Sequence, residues 1–136
     1  MKKIFVAGSL LLLLVTGTAF VQAYNLPKSV ARGKELYTTY CQNCHMEDGK
    51  GQAAVFPPLA KADYLKKTPV SKIIELVLKG QTGEITVNGS KYNAQMLALD
   101  YLSDEQVADV LNYTYNSWGN QSLKAVTPAQ VKKARQ

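Results

Sequence analysis

Five consecutive residues hold every cysteine and the single histidine of this 136-residue chain. They read Cys41-Gln42-Asn43-Cys44-His45, the C-x-x-C-H spacing in which two thiols can bond to the two vinyl groups of a haem. The histidine after the second thiol would then lie beneath the iron. Because random placement would rarely bring all three together, we interpret the stretch as the site of one haem, covalently attached through Cys41 and Cys44 and ligated by His45.

The same residue types also occur in three other kinds of site. A thioredoxin-like dithiol lies at a helix start in a βαβ unit, whereas this motif closes a helical pattern. A structural zinc ion takes about four protein ligands, so a carboxylate would have to complete the set. A disulfide between Cys41 and Cys44 suits an exported protein but gives His45 no role. We favour haem and keep these three as alternatives.

Methionine is the expected second iron ligand, because a low-spin electron carrier needs a ligand opposite His45 and the chain has no other histidine. Met1 belongs to a predicted signal sequence, and Met46 is tethered next to His45 on the same side of the ring. Elimination leaves Met96. The alternative is that Met96 only fills a gap in the core.

A proline-containing segment after the motif offers hydrogen-bond acceptors. Pro57 and Pro58 lack amide hydrogens and hold the chain extended, which leaves their carbonyl groups free. A metal-bound imidazole usually donates its second N–H to such an acceptor, which fixes the tautomer and raises the basicity of the ring. We therefore predict that the Pro57 carbonyl accepts from His45 and that Leu59 packs on the haem.

The first 23 residues are predicted to be a signal sequence. Lys2 and Lys3 precede an apolar run, and Val21-Gln22-Ala23 resembles a cleavage site. An uncleaved membrane anchor is the alternative, since the run is nearly long enough to cross a bilayer. A lipid anchor is excluded, because no cysteine follows the run before Cys41. Export to the periplasm agrees with C-x-x-C-H chemistry, which bacteria complete outside the cytoplasm.

The formal charge of +6 does not indicate a nucleic-acid partner. Two of the positive charges lie in the predicted signal sequence. Residues 24–120 carry ten basic and ten acidic side chains, so the remaining excess lies after Asn120. We assign residues 24–120 to one domain and expect residues 121–136, the basic tail, to be a solvated end and only secondarily a docking patch.

A helical pattern precedes the motif. From Ser29 to Tyr40, apolar or small residues recur every three or four positions, with Ser29 as the expected N-cap. Gly33 costs up to about 1 kcal/mol relative to alanine inside a helix, so we expect another helix to approach closely there. Tyr37 would pack one turn later on the same face. The alternative is a tolerated glycine beside an ordinary core tyrosine.

A second helix and a hairpin follow. The helix has Thr68 as its expected N-cap and Pro69 at its first position, and it stops before Gly80. Asn88-Gly89 is typical of a tight turn between two short strands. The helix is interpreted as structural, and the hairpin leads into the segment that holds Met96.

The last predicted long helix opens with a capping box from Ser103 to Gln106 and runs to about Trp118. Thr127-Pro128 begins a further short helical turn that has little apolar surface to hold it. The predicted fold is therefore all-α, with three main helices and irregular loops around one haem.

Several of these features together resemble the class I bacterial c-type cytochromes. They are the C-x-x-C-H motif, Phe-Pro-Pro-Leu at 56–59, Tyr92-Asn93 shortly before Met96, and Tyr-x-x-x-x-Trp-Gly-Asn at 113–120. The likeness covers residues 30 to 120. It implies one haem bound by both cysteines, iron ligation by His45 and Met96, and a crossing of the first and last helices where Gly33 meets Tyr113. Leu97 stands where the family often has proline.

The resemblance implies a single-electron carrier of the periplasm rather than an enzyme. Two protein ligands would close the iron to substrates, and a neutral sulfur ligand favours Fe(II). Its partners would be membrane or periplasmic redox proteins, with no nucleic acid and no stable membrane insertion once the signal is cleaved. Two alternatives are a dedicated cytochrome subunit of a periplasmic oxidoreductase and a haem-based sensor of small ligands with a labile Met96.

Overall fold

The structure is a computed structural model that describes residues 24–136. Its elements, in chain order, are α1 (Leu26–Tyr40), α2 (Gln42–His45), α3 (Asp63–Lys67), α4 (Val70–Lys79), β1 (Ile85–Val87), β2 (Ser90–Tyr92), α5 (Asp104–Tyr115) and α6 (Pro128–Ala134). The predicted signal sequence lies outside the described residues. Within the part of the chain that is described, no helix is both long enough and apolar enough to span a bilayer.

Helix α1 begins earlier than the sequence pattern suggested. The side chain of Asn25 accepts a hydrogen bond from the Lys28 N–H at 3.1 Å, and Pro27 occupies the first turn. The prediction that Ser29 is the N-cap was wrong. Ser29 lies inside the helix, has no exposed surface and donates to the Asp109 carboxylate at 2.5 Å. The polar pattern misled because a buried serine and a capping serine look alike in sequence.

Helices α1 and α5 cross at Gly33. A Cβ atom there would overlap the Asp109 carbonyl and lie 2.8 Å from the Cβ of Tyr113. The ring of Tyr37 packs one turn further along, 5.3 Å from the ring of Tyr113 and 4.8 Å from that of Trp118. The expected close approach is confirmed, although the Asp109 backbone lies nearer to Gly33 than Tyr113 does.

A buried polar network joins the same two helices. Asp109 is 2% exposed and accepts hydrogen bonds from Ser29, from Arg32 at 2.6 and 2.8 Å, and from Tyr24 at 3.0 Å. Asn112, one turn later, donates to Ser29 at 2.8 Å. Charge-assisted, bidentate bonds of this kind offset the cost of removing a carboxylate from water. The network fixes how α1 lies on α5.

The middle of the chain forms two helices and a hairpin. Helix α3 had no counterpart in the sequence prediction. Thr68 ends α3, with its N–H bonded to the Tyr64 carbonyl at 3.0 Å, so the expectation that it caps α4 was wrong and Pro69 takes that position. The strands β1 and β2 pair antiparallel around Asn88-Gly89, as predicted.

The last long helix is shorter than expected, and the tail is more ordered. The Ser103 capping box that opens α5 is confirmed, but α5 ends at Tyr115 rather than near Trp118. Helix α6 packs against α4 and α5, with Val126 and Val131 both buried. The expectation that little apolar surface holds this segment was therefore wrong, because two enclosed valines attach it. The lysines of the tail are nevertheless exposed, as expected of a solvated end. Within the described residues the fold is mainly helical, as predicted.

Candidate haem-binding site

The C-x-x-C-H motif forms its own short helical turn at the end of α1. The backbone N–H groups of Cys44 and His45 donate to the Cys41 carbonyl at 3.2 and 3.0 Å. Residues three and four positions apart in a helix lie on one face. The turn therefore places the two thiols and the imidazole on the same side of the chain.

The two thiols are free, with Cys41 partly buried and Cys44 exposed. Burial raises the pKa of Cys41 to about 12, and the neighbouring Cys44 adds to this shift. A redox-active dithiol has a lowered thiol pKa, so the direction of the shift argues against the thioredoxin-like alternative. The absence of a bond between the two sulfurs likewise leaves both of them available for attachment to a haem.

His45 is oriented by the segment that follows the motif. Its Nδ1 atom lies 2.9 Å from the Pro57 carbonyl oxygen, which is the hydrogen bond expected from the sequence. A carbonyl only accepts, so Nδ1 carries the proton and Nε2 keeps its lone pair. Burial lowers the pKa of His45, and the bond to Pro57 opposes that shift. The bond to Pro57 thus fixes the tautomer, and burial favours the neutral form of the ring, which is the form that binds metals.

Backbone hydrogen bonds hold the Pro57 segment against the motif. The Gly51 N–H donates to the His45 carbonyl at 3.0 Å, and the N–H groups of Leu59 and Ala60 both donate to the Gly49 carbonyl, at 2.7 and 2.8 Å. The loop thus folds back so that Pro57 faces the imidazole.

Trp118 secures the same loop from the far end of the chain. Its indole N–H donates to the Glu47 carbonyl at 3.0 Å, and its ring lies against Gly49. We did not assign Trp118 to the site from its sequence. The Trp-Gly-Asn pattern was visible there, but the loop that it contacts was not.

Met96 is fixed by its backbone. Its N–H and carbonyl groups form reciprocal hydrogen bonds with Gln81, each 3.0 Å long. Gly80 permits the approach, since a Cβ atom there would lie 2.5 Å from the Met96 carbonyl oxygen. The Met96 side chain is partly buried and packs against the apolar core. Leu59 packs against the same core cluster, as do Tyr64 and Ile85.

Met46 directly follows the motif. It is the C-cap of α2, with a φ of 62°, and its carbonyl accepts a hydrogen bond from the Tyr37 hydroxyl at 2.7 Å.

Across residues 24–136, no three His, Cys, Asp or Glu side chains converge as ligands of a bare metal ion. The zinc alternative therefore lacks a ligand set in the described part of the chain.

Comparison with known proteins identifies the family. The family model for cytochrome c matches residues 30–118, from the first turns of α1 to the residues just after α5. The chain belongs to the cytochrome c family. A cytochrome c carries haem c, and here the covalent attachment is through Cys41 and Cys44, whose free thiols on one face fit that role.

Individual cytochrome relatives fall into two groups. The chain is 37% identical to a cytochrome c-552 of Thermus thermophilus, over 86% of this chain and 83% of the relative. It is also 31% identical to the cytochrome c subunit of a quinone alcohol dehydrogenase of Gluconobacter oxydans, over 76% of this chain, and 31% identical to the cytochrome c subunit of a gluconate 2-dehydrogenase of Pantoea cypripedii, over 87%. The matches span only 22% and 28% of those two subunits.

Proposed function

We propose that this cytochrome is a single-electron carrier of the periplasm in which His45 and Met96 are the two iron ligands. The observation that carries the proposal is the reciprocal pair of hydrogen bonds between Met96 and Gln81. These bonds hold the backbone of the only methionine left by elimination. With a ligand on each side, the iron would have no open position for a substrate.

Each neighbouring residue has a role in this proposal. The haem supplies the Fe(III)/Fe(II) couple, which takes up and releases one electron at a time. The Pro57 carbonyl keeps the lone pair of His45 directed away from the loop and raises the basicity of the ring. The neutral sulfur of Met96 favours Fe(II). Leu59, which packs against the same core cluster as Met96, excludes water from the haem site.

We further propose that electrons leave through an exposed apolar face formed by Tyr40, Leu97 and Tyr101. Leu97 is 72% exposed and follows Met96, and Tyr40 precedes Cys41. The rings of Tyr40 and Tyr101 lie 6.0 Å apart, edge to face. A small apolar contact suits redox partners that must separate quickly.

Periplasmic location rests on the sequence of residues 1–23 and on the chemistry of haem attachment. The proposal that this chain does not catalyse a reaction rests on the two proposed iron ligands.

A second candidate is a dedicated cytochrome subunit of an oxidoreductase, which is favoured by the likeness to subunits of alcohol and gluconate dehydrogenases. Purification from native cells separates the two, since a subunit stays with its enzyme and a free carrier does not.

The test of the proposed ligation uses the haem-loaded protein. Wild-type protein should titrate as a one-electron couple, show the weak red absorption of a methionine-ligated Fe(III) haem and exclude carbon monoxide when reduced. Met96→Ala should abolish the band and admit carbon monoxide, whereas Met46→Ala, the matched control, should do neither. A wild type that lacks the band and binds carbon monoxide readily would instead favour the sensor.

A further inference from the structure

The tail that follows the family match carries a side chain directed at the loop after Met96. We propose that Arg135 is a positioning residue for Met96, acting through residues 97–102, here called the ligand loop. This inference rests on the proposed ligation of iron by Met96. It assigns to the tail a role that its basic composition does not suggest.

Arg135 lies at the end of α6 and makes two contacts with the ligand loop and one with the start of α5. Its Nη1 atom donates to the Asp100 carbonyl at 2.8 Å, and its Nη2 atom donates to the Leu102 carbonyl. Its Nε atom donates to the Asp104 carboxylate at 2.7 Å. The planar guanidinium presents several donors in a fixed arrangement, so one side chain joins two loop carbonyls to the first residue of α5.

The ligand loop is anchored in the core by Leu99 and Leu102, which are 9% and 3% exposed. On the N-terminal side, Met96 is held by Gln81. Beyond it, the Leu99 N–H donates to the Val77 carbonyl at 2.9 Å, and the Leu102 N–H to the Leu99 carbonyl at 3.2 Å. Leu97 does not restrict φ as a proline at that position would. The contacts of Arg135 add to these restraints at the Asp100 and Leu102 carbonyls, which the Gln81 pair does not reach.

The helix that carries Arg135 is itself firmly attached. Val131, one turn before it, has no exposed surface. Upstream, the side-chain amide of Asn112 binds the backbone of Val126 in both directions, accepting from its N–H at 2.7 Å and donating to its carbonyl at 2.8 Å. The arginine is thus presented from a fixed element, and its side chain is only 31% exposed.

A restrained loop keeps Met96 in its place. A loop opens locally with a free energy that its restraints determine, and removing one restraint raises the population of the open state. Opening of the ligand loop would carry Met96 away from the core and leave a position that carbon monoxide could take. Arg135 would therefore set how strongly the protein excludes small ligands without touching them.

The experiment uses the haem-loaded, full-length chain and carbon monoxide as the probe. Arg135→Gln should weaken the red absorption band and raise the carbon monoxide affinity of the reduced protein about tenfold, the factor expected when about one to two net hydrogen bonds are lost. Lys132→Gln removes the same charge from an exposed position of the same helix and should change neither. Arg135→Lys keeps the charge but lacks the planar set of donors that binds both loop carbonyls, so it should behave like the glutamine variant.

The outcomes separate the two proposals. If the Arg135 variants melt earlier but keep the wild-type band and carbon monoxide affinity, Arg135 only stabilises the fold and the inference is overturned. If the glutamine variant does not fold, the band and the carbon monoxide affinity of the lysine variant provide the test. If the wild type itself lacks the band, the proposed ligation by Met96 fails, and the inference that rests on it fails with it.

Discussion

Gly51 lies against the carbonyl group of Pro57, and a Cβ atom on Gly51 would come within 2.6 Å of that oxygen. The same oxygen accepts the hydrogen bond from His45. Gly51 also has a φ of 64°, a conformation that favours glycine. One residue without a side chain therefore allows the loop to turn and the acceptor to reach the imidazole.

Gly51→Ala should displace the Pro57 carbonyl and weaken its bond to His45. A less basic imidazole stabilises Fe(III) less, so the reduction potential should rise, by about 20–40 mV if about 0.5–1 kcal/mol of hydrogen bonding is lost. Gly83→Ala is the control, because Gly83 also has a positive φ of 86° but nothing within 4 Å of an added Cβ. Equal potentials for the two variants would contradict the role of Gly51.

Gly33→Val should destabilise the protein by about 3 kcal/mol through overpacking, because the atoms that it would meet belong to the backbone of α5 and cannot rotate away. Ala31→Val introduces the same side chain on the exposed side of α1 and should cost about 0.5 kcal/mol from helix propensity alone. Thermal unfolding measures both. A Gly33→Val melting temperature within about a degree of wild type would exclude the close crossing.

Tyr37→Phe should lower stability by about 1 kcal/mol at neutral pH, since it removes the hydrogen bond to the Met46 carbonyl. Burial raises the pKa of Tyr37. The folded chain therefore holds this proton more tightly than the unfolded chain, and the associated stability is lost as pH rises above the ordinary tyrosine pKa of about 10.

The difference between wild type and Tyr37→Phe should therefore narrow in alkaline solution. Denaturant unfolding at neutral pH and above pH of about 10 tests this. Tyr40→Phe, at an exposed position of α1, serves as the control. A difference that is constant with pH would show that Tyr37 does not titrate with unfolding.

Leu97→Glu should slow electron self-exchange between two copies of the protein. If copies meet through the face of Tyr40, Leu97 and Tyr101, the substitution brings two like charges together and should lower the rate about tenfold. Leu123→Glu is a matched control, because Leu123 is fully exposed on the tail. Line broadening in mixtures of reduced and oxidised protein gives the rate, and equal slowing by both variants would mean that the contact lies elsewhere.

The tail lysines should contribute little to that contact. Residues 24–120 are balanced in charge, and Arg135 is paired with Asp104. Replacing Lys124, Lys132 and Lys133 by glutamine leaves the packed part of the tail intact, which truncation after Asn120 would not. The self-exchange rate and its weak dependence on salt should persist in this variant. A large salt effect that disappears with the lysines would make the tail a docking element.

The sequence predicted local structure correctly where a short motif has one common structural role. Asn88-Gly89 formed the turn, and Ser103 opened α5 through its capping box. Pro57 reached His45 because a proline cannot use its own N–H and its carbonyl needs a donor. In these cases the hydrogen bonds join residues a few positions apart, or the bound cofactor determines which partner the histidine needs.

Long-range polar pairing was not predicted. No role was assigned to Asp109 from the sequence, and Ser29 was interpreted as an N-cap. A signal was present, since Ser29, Arg32 and Gly33 share one helical face, as do Asp109, Asn112 and Tyr113. Each of these faces could equally be exposed to solvent. Only the packing of α1 against α5 brings their polar side chains into a hydrogen-bond network. The attachment of the tail through Asn112 is hidden in the same way.

The bond between Ser29 and Asp109 joins residues that are 80 positions apart, and this separation has a consequence for the order of events during synthesis. Helix α1 finds its packing partner only after α5 has been made, since contacts distant in sequence form late. Cys41 and Cys44, at the end of α1, are synthesised long before that partner. The order of the segments thus leaves an interval in which α1, with the two thiols at its end, has not yet packed against α5.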